Sequence, residues 1–131
     1  MNDIEYLPHA DGAAKSYVAA TVLGDLVYPC GQVPVAPDGT TPAGIEAQTR
    51  QCLDNLHASL TRAGSGADRV LQVTVYLMDQ GDFEAYDSAW RGWFAGMQLP
   101  PRTTVFVAGF RGQKRIELTA VAARANGGER S

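Results

Sequence analysis

Residues 99–122 read L-P-P-R-T-T-V-F-V-A-G-F-R-G-Q-K-R-I-E-L-T-A-V-A. Two runs within this stretch, 103–107 and 115–122, are rich in β-branched and apolar residues, and the glycine-containing segment 111–114 between them has turn composition. The pattern predicts an antiparallel pair of strands. Each run carries a charge that a plain core strand would lack: Arg102 leads the first and Glu117 sits inside the second. A simple hairpin about that turn sets Glu117 roughly opposite Ala108, not Arg102, so the two do not meet within one strand pair. A pocket that holds both needs sheet curvature or a second subunit.

Upstream, residues 70–78 alternate as a strand, with Leu71, Val73, Val75 and Leu77 on one face and Gln72, Thr74 and Tyr76 on the other. Residues 82–94 follow as a helix with Asp79 or Asp82 as cap and Phe83, Tyr86, Trp90, Trp93 and Phe94 near helical spacing. Asp87 shares the helical neighbourhood of Phe83 and Trp90 and is expected at the edge of a cavity; the helix stops at Ala95-Gly96. An earlier helix is expected with Thr41 as its cap, Pro42 at its first position and Gly64 at its end. It buries Ile45, Cys52, Leu53, Leu56, Leu60 and Ala63, with His57 at its surface or boundary. Before it, runs 16–23 and 26–35 flank Gly24-Asp25 as a tight hairpin, the second broken near Pro29 and Gly31. Residues 1–15 read as an irregular arm and 126–131 as a flexible tail.

The order strand, strand, helix, strand, helix, strand, strand predicts an α+β fold: a mixed sheet with both helices on one face. The uncovered face carries polar and apolar side chains together and needs a partner, which a symmetric oligomer closing several sheets into a barrel supplies. The 131 residues suit one domain, 1–131, and 45% hydrophobic against 19% charged residues is a globular balance. A net charge of −3 is a poor footprint for nucleic acid. The Arg111 to Arg115 cluster reads as a solvated turn, and no apolar run reaches the ~20 residues of a membrane span. Without a secretory pattern at the N-terminus, the expected location is cytoplasmic, with Cys30 and Cys52 as thiols. His9 and His57 belong to no metal-ligand pattern.

C-G-Q-V-P-V at 30–35, Q-x-x-x-x-L-D-N-L at 48–56, V-T-V-Y-L-x-D at 73–79, Asp82-Phe83, P-P-R-T-T-V at 100–105 and I-E-L-T-A-V-A at 116–122 together resemble the RidA/YjgF family of reactive-intermediate deaminases. The resemblance runs from about Tyr17 to Arg124 and keeps motif order and spacing. It implies a chorismate-mutase-like fold, a homotrimeric barrel and ligand sites in the clefts between subunits. It also implies that Arg102 grips a substrate carboxylate, that Glu117 positions water, and that Thr104 offers main-chain groups to the ligand. Tyr17, Cys30, Gly31 and Asp87 then fall at pocket-lining positions. Four departures alter the pocket edge: Cys30 for a commoner serine, Asp87 for asparagine, Thr104 for cysteine, and Lys15-Ser16 for Gly-Pro.

The implied reaction suits these residue types. A guanidinium fork holds a planar carboxylate through two charge-assisted hydrogen bonds, and an oriented water then attacks the imine carbon while a carboxyl group passes protons. The products are a 2-oxo acid and ammonia. The imine is already activated, so neither a metal nor an organic cofactor is required. No histidine is placed by sequence to activate Cys30 as a nucleophile. Two other readings stand beside deamination in metabolite-damage control. One is a pathway-specific enzyme acting on a related imine or enamine, and the other is a non-catalytic trimer that captures a carboxylate metabolite.

Overall fold

A computed structural model describes residues 3–125. The elements in chain order are β1 (Glu5–Leu7), β2 (Ala20–Leu23), β3 (Leu26–Pro29), α1 (Ile45–Arg62), β4 (Val70–Leu77), α2 (Phe83–Trp93), β5 (Arg102–Phe106) and β6 (Ile116–Ala123). The strands form one mixed sheet in the order β1-β2-β3-β6-β4-β5, in which β4 and β5 run parallel and the other neighbours antiparallel. Val73, Val75 and Leu77 of β4 and Ile116, Leu118, Ala120 and Ala122 of β6 turn to one face, where Cys52, Leu53, Leu56 and Leu60 of α1 and Tyr86 and Trp90 of α2 bury them. The α+β architecture with both helices on one face is therefore observed.

The strand pairing departs from the sequence expectation. β6 pairs with β4, not with β5, so β4 lies between the two runs expected to form a hairpin. Strand β4, helix α2 and strand β5 make a parallel crossover unit, which returns β5 beside β4. The free side of β4 then takes β6, whose alternate side chains are buried along its whole length, a pattern that suits the middle of the sheet and not its edge. Short-range composition reports that a run is a strand; it does not report the neighbour.

Local boundaries also shift. The arm 1–15 is not wholly irregular, because Glu5–Leu7 pairs with β2; three residues are too few to show a period. The second hairpin strand stops at Pro29, and Gln32 alone rejoins the sheet through two bonds with Leu118, 2.7 and 3.0 Å long. Helix α1 starts at Ile45, not at Pro42: Gly44 precedes it with φ 87°, and Thr41 supplies no cap. Its end matches expectation. Gly64, at φ 83°, donates to the Thr61 carbonyl and Ser65 to the Leu60 carbonyl, the paired bonds of a left-handed helix stop. In β4 a register shift between Val70 and Gln72 leaves Leu71 on the surface, outside the buried face. Asp79 caps a short turn by accepting from Gly81 N at 2.8 Å, whereas Asp82 makes no cap hydrogen bond. Asp82 instead takes Arg115 through two bonds of 2.7 and 3.0 Å, so the basic turn is anchored at that residue and not wholly solvated. The tail 126–131 lies outside the described residues.

Two polar residues of α1 fix the loops that lead to the site. Gln48, buried, accepts from Arg115 N at 2.8 Å and donates to the carbonyls of Pro42 and Gln113, which sets the entry into β6. Asn55, two turns further along the helix, donates to the carbonyls of Val33 and Val35 at 2.8 and 2.9 Å and pins the segment after Gly31.

Candidate functional site

Arg102 opens β5, the edge strand. It pairs with Val73, so it lies on the helix-covered face. There its guanidinium carbon stands 4.9 Å from the centre of the Tyr86 ring, 5.2 Å from Trp90 and 5.9 Å from Phe83, all three presented by α2. Nη2 is 2.9 Å from Asp87 Oδ1. The other carboxylate oxygen of Asp87 accepts from Arg91 Nε at 3.1 Å, one helical turn on. Burial works against the Asp87 charge, but the hydrogen bonds and charges of Arg91 and Arg102 outweigh it and hold the carboxyl below the usual carboxylate range. Asp87, Trp90, Arg91, Leu99, Pro100 and Arg102 line a pocket of about 210 Å³.

Thr104 shares this face, and its Oγ1 lies 2.6 Å from Tyr86 Oη. Its backbone is also available. Pro101 O and Val107 N bond to β4, so strand alternation turns the main-chain groups of Thr104 away from β4, toward the open edge of the sheet.

Glu117 stands elsewhere. It pairs with Tyr76 on the uncovered face, and Tyr76 pairs with Val105. Its carboxylate rests on Gly31, where an added Cβ would collide with Oε2 and stand 3.3 Å from Cδ. The backbone there is not left-handed, so the constraint at Gly31 is one of space: any side chain at this position displaces the Glu117 carboxylate. Glu117 also borders a hollow of about 580 Å³ with Ala108, Gly109, Phe110, Arg111 and Lys114. Cys30 and Gly31 line a third cleft, about 370 Å³, with Lys15 and Tyr17 among its other walls. Burial, and the nearby Glu117 charge, push the Cys30 thiol up, so it is a poor thiolate at neutral pH. The Tyr17 carbonyl is 2.7 Å from His9 Nε2, which ties the arm down beside this cleft.

One chain thus brings Arg102, Asp87 and Thr104 together around α2, and Glu117, Gly31 and Cys30 together at the opposite side, with Tyr17 nearby. It does not join the two groups. Arg102 and Glu117 occupy opposite faces, two strand spacings (roughly 10 Å) across the sheet and three residues (roughly 10 Å) along it. Sequence reasoning missed Arg91 and the aromatic seat under the guanidinium. The i, i+4 spacing of Asp87 and Arg91 was the available signal for the first. Among the described residues no helix is long and apolar enough to cross a membrane.

The profile of the endoribonuclease L-PSP family matches residues 8–124. A RutC family protein of Haemophilus influenzae is 36% identical over 128 residues, covering 95% of this chain and 98% of its own length. The 2-iminobutanoate/2-iminopropanoate deaminase of Escherichia coli is 34% identical over 119 residues, covering 88% and 93%. Among solved structures, E. coli TdcF with bound serine superposes with a TM-score of 0.81 at 30% identity, covering 92% of this chain and 94% of that one. The YjgF gene product of E. coli superposes with a TM-score of 0.80 at 33% identity, with the same coverage.

Proposed function

Since the chain belongs to the endoribonuclease L-PSP family, the RidA/YjgF proteins, we propose that it hydrolyses reactive 2-imino acids, and the enamines that tautomerise to them, to 2-oxo acids and ammonia. The observation that carries this reading is the Arg102 guanidinium, seated on the rings of α2 at the edge strand with the free main-chain groups of Thr104 beside it. This is a fork for one small planar carboxylate, and it sets the adjacent C=N carbon against the strand edge.

The active unit is a homotrimer with sites shared between copies. Two features support this. The uncovered face exposes Leu23, Tyr28 and Val105 and carries a groove of about 320 Å³ lined in part by Gln72, Thr74, Thr119 and Val121. Arg102 and Glu117 also lie on opposite faces, so a ring of copies is the arrangement that sets the Arg102 edge of one against the Glu117 face of the next. Arg102 holds the carboxylate; Glu117, with the Thr104 carbonyl, orients a water whose oxygen attacks the imine carbon. Glu117 takes a proton from that water and delivers it to nitrogen. Glu117 then carries the hydroxyl proton of the tetrahedral adduct to its amino nitrogen, the C–N bond breaks as the C=O bond forms, and ammonia leaves the 2-oxo acid. Gly31, Cys30, Tyr17 and Asp87 shape the walls. The unpaired thiols Cys30 and Cys52 fit work in the reducing cytoplasm.

The test is direct. An L-amino acid oxidase converts 2-aminobutyrate to 2-iminobutyrate in the presence of semicarbazide, which traps the surviving imine. Added protein lowers the trapped fraction if it is a deaminase; an unchanged fraction across catalytic concentrations refutes the reading.

A further inference from the structure

Asp87 is an odd neighbour for a guanidinium that has to receive a carboxylate. Its two oxygens are divided between two cations, Oδ1 to Arg102 at 2.9 Å and Oδ2 to Arg91 at 3.1 Å. The Asp87 and Arg102 side chains are 21% and 19% exposed, whereas Arg91 is 72% exposed and stands at the pocket mouth beside Leu99 and Pro100. The charges decide what the pocket accepts. Arg102 and Asp87 alone sum to zero, and an arriving carboxylate would leave a net negative charge against the aromatic walls of Tyr86 and Trp90. Counting the groups that one chain supplies around Arg102, Arg91 brings the sum to one positive charge, which the carboxylate then balances.

We propose that Asp87 is a competing anion built into the Arg102 pocket, and that Arg91 is the positioning residue that holds Asp87 when a substrate carboxylate takes the guanidinium. The inference rests on the reading that Arg102 is the carboxylate grip. The geometry suits the exchange, because the Asp87 oxygen bound to Arg91 is not the one bound to Arg102, so one contact can weaken while the other keeps the side chain in place. The aromatic seat meanwhile fixes the guanidinium plane, and the affinity for a small acid is set by the balance among the three charges.

The test uses the full chain as wild type, Asp87→Asn, Arg91→Ala, Arg91→Lys and the double variant Asp87→Asn/Arg91→Ala. Two readouts run in parallel: KM for 2-iminobutyrate hydrolysis, and the Kd for 2-oxobutyrate by calorimetry. Asparagine keeps an oxygen for the Arg102 N–H but removes the charge, so Asp87→Asn lowers both constants by about three- to fivefold. Arg91→Ala raises both by about two- to fivefold, mainly in KM and not in kcat, and Arg91→Lys restores them. In the Asp87→Asn background the Arg91→Ala effect disappears. Constants unchanged or raised in Asp87→Asn, or an Arg91→Ala penalty that persists without Asp87, overturn the proposal. Asp87→Ser replaces Asp87→Asn if the latter fails to fold. If wild type hydrolyses no imine but 2-oxobutyrate binding follows this pattern, the deaminase reading fails and the charge exchange stands. Hydrolysis without the pattern sinks the exchange alone, and absence of both hydrolysis and binding sinks both.

Discussion

The placement of Arg102 and Glu117 on opposite faces of one sheet leads to a quantitative prediction about mixed assemblies. On the proposed site assignment, Arg102→Ala removes two charge-assisted hydrogen bonds to the substrate, each worth about 1.5–3 kcal/mol, so that protein alone loses on the order of a hundredfold or more in kcat/KM. Glu117→Gln keeps shape but cannot carry the proton, and it is inactive on its own for a different reason. When the two variants are mixed one to one by denaturation and refolding, each site of the proposed three-membered ring draws its guanidinium from one copy and its carboxyl from the next. The chance that both are intact is one half times one half, so about one quarter of wild-type activity returns. The assay is imine hydrolysis under semicarbazide competition, with different tags on the two variants to confirm that subunits have mixed. Mixed assemblies as inactive as their parents would show that each site is built within one chain. Full activity in either parent would remove that residue from the mechanism.

Three further outcomes follow from the packing. Gly31→Ala drives a methyl group into the Glu117 carboxylate; activity falls by about tenfold or more while the melting temperature changes little, since the backbone there is unstrained. Leu118→Ala empties a fully buried position at the centre of the sheet and costs about 2–5 kcal/mol, read from denaturant unfolding, and a loss below about 1 kcal/mol would mean the core is not packed as described. Burial raises the Cys30 pKa, so the thiolate fraction at pH 7 lies below that of an ordinary cysteine and increases as the pH climbs toward the raised value. Iodoacetamide therefore alkylates Cys30 more slowly than it does glutathione at pH 7, and faster alkylation than glutathione would contradict the environment seen here.

The elements were legible because their signals are local. The stripe of Ile45, Cys52, Leu53, Leu56 and Leu60 marks α1, and the alternation of Val73, Val75 and Leu77 marks β4; all of these are buried as their spacing implies. The unusual charges at Arg102 and Glu117 were visible for the same reason, as was the need for something beyond a hairpin to join them. Legibility ended where distant segments choose neighbours. Nothing within 99–122 says that β4 intervenes between its two strands, because that choice depends on the α2 crossover and on placing β6, whose alternate side chains are buried along its whole length, inside the sheet. Gln48 and Asn55 stood inside a recognisable motif, but their grip on the loops at 113–115 and 33–35 depends on chain packing across many residues.

The amino-acid order alone therefore determined which of the longer segments become strands and helices, most of the positions they bury and which charged residues are out of place in a core, since these depend on neighbours within a few positions along the chain. The tertiary structure alone decided that the guanidinium and the carboxyl lie on opposite faces, that α2 seats Arg102 on its rings, and that Arg91 shares Asp87 with it. The first two relations come from strand order and from helix packing across the sheet, which no short-range pattern encodes; of the third, only the i, i+4 spacing of Asp87 and Arg91 is local, and the approach of Arg102 to that pair is not.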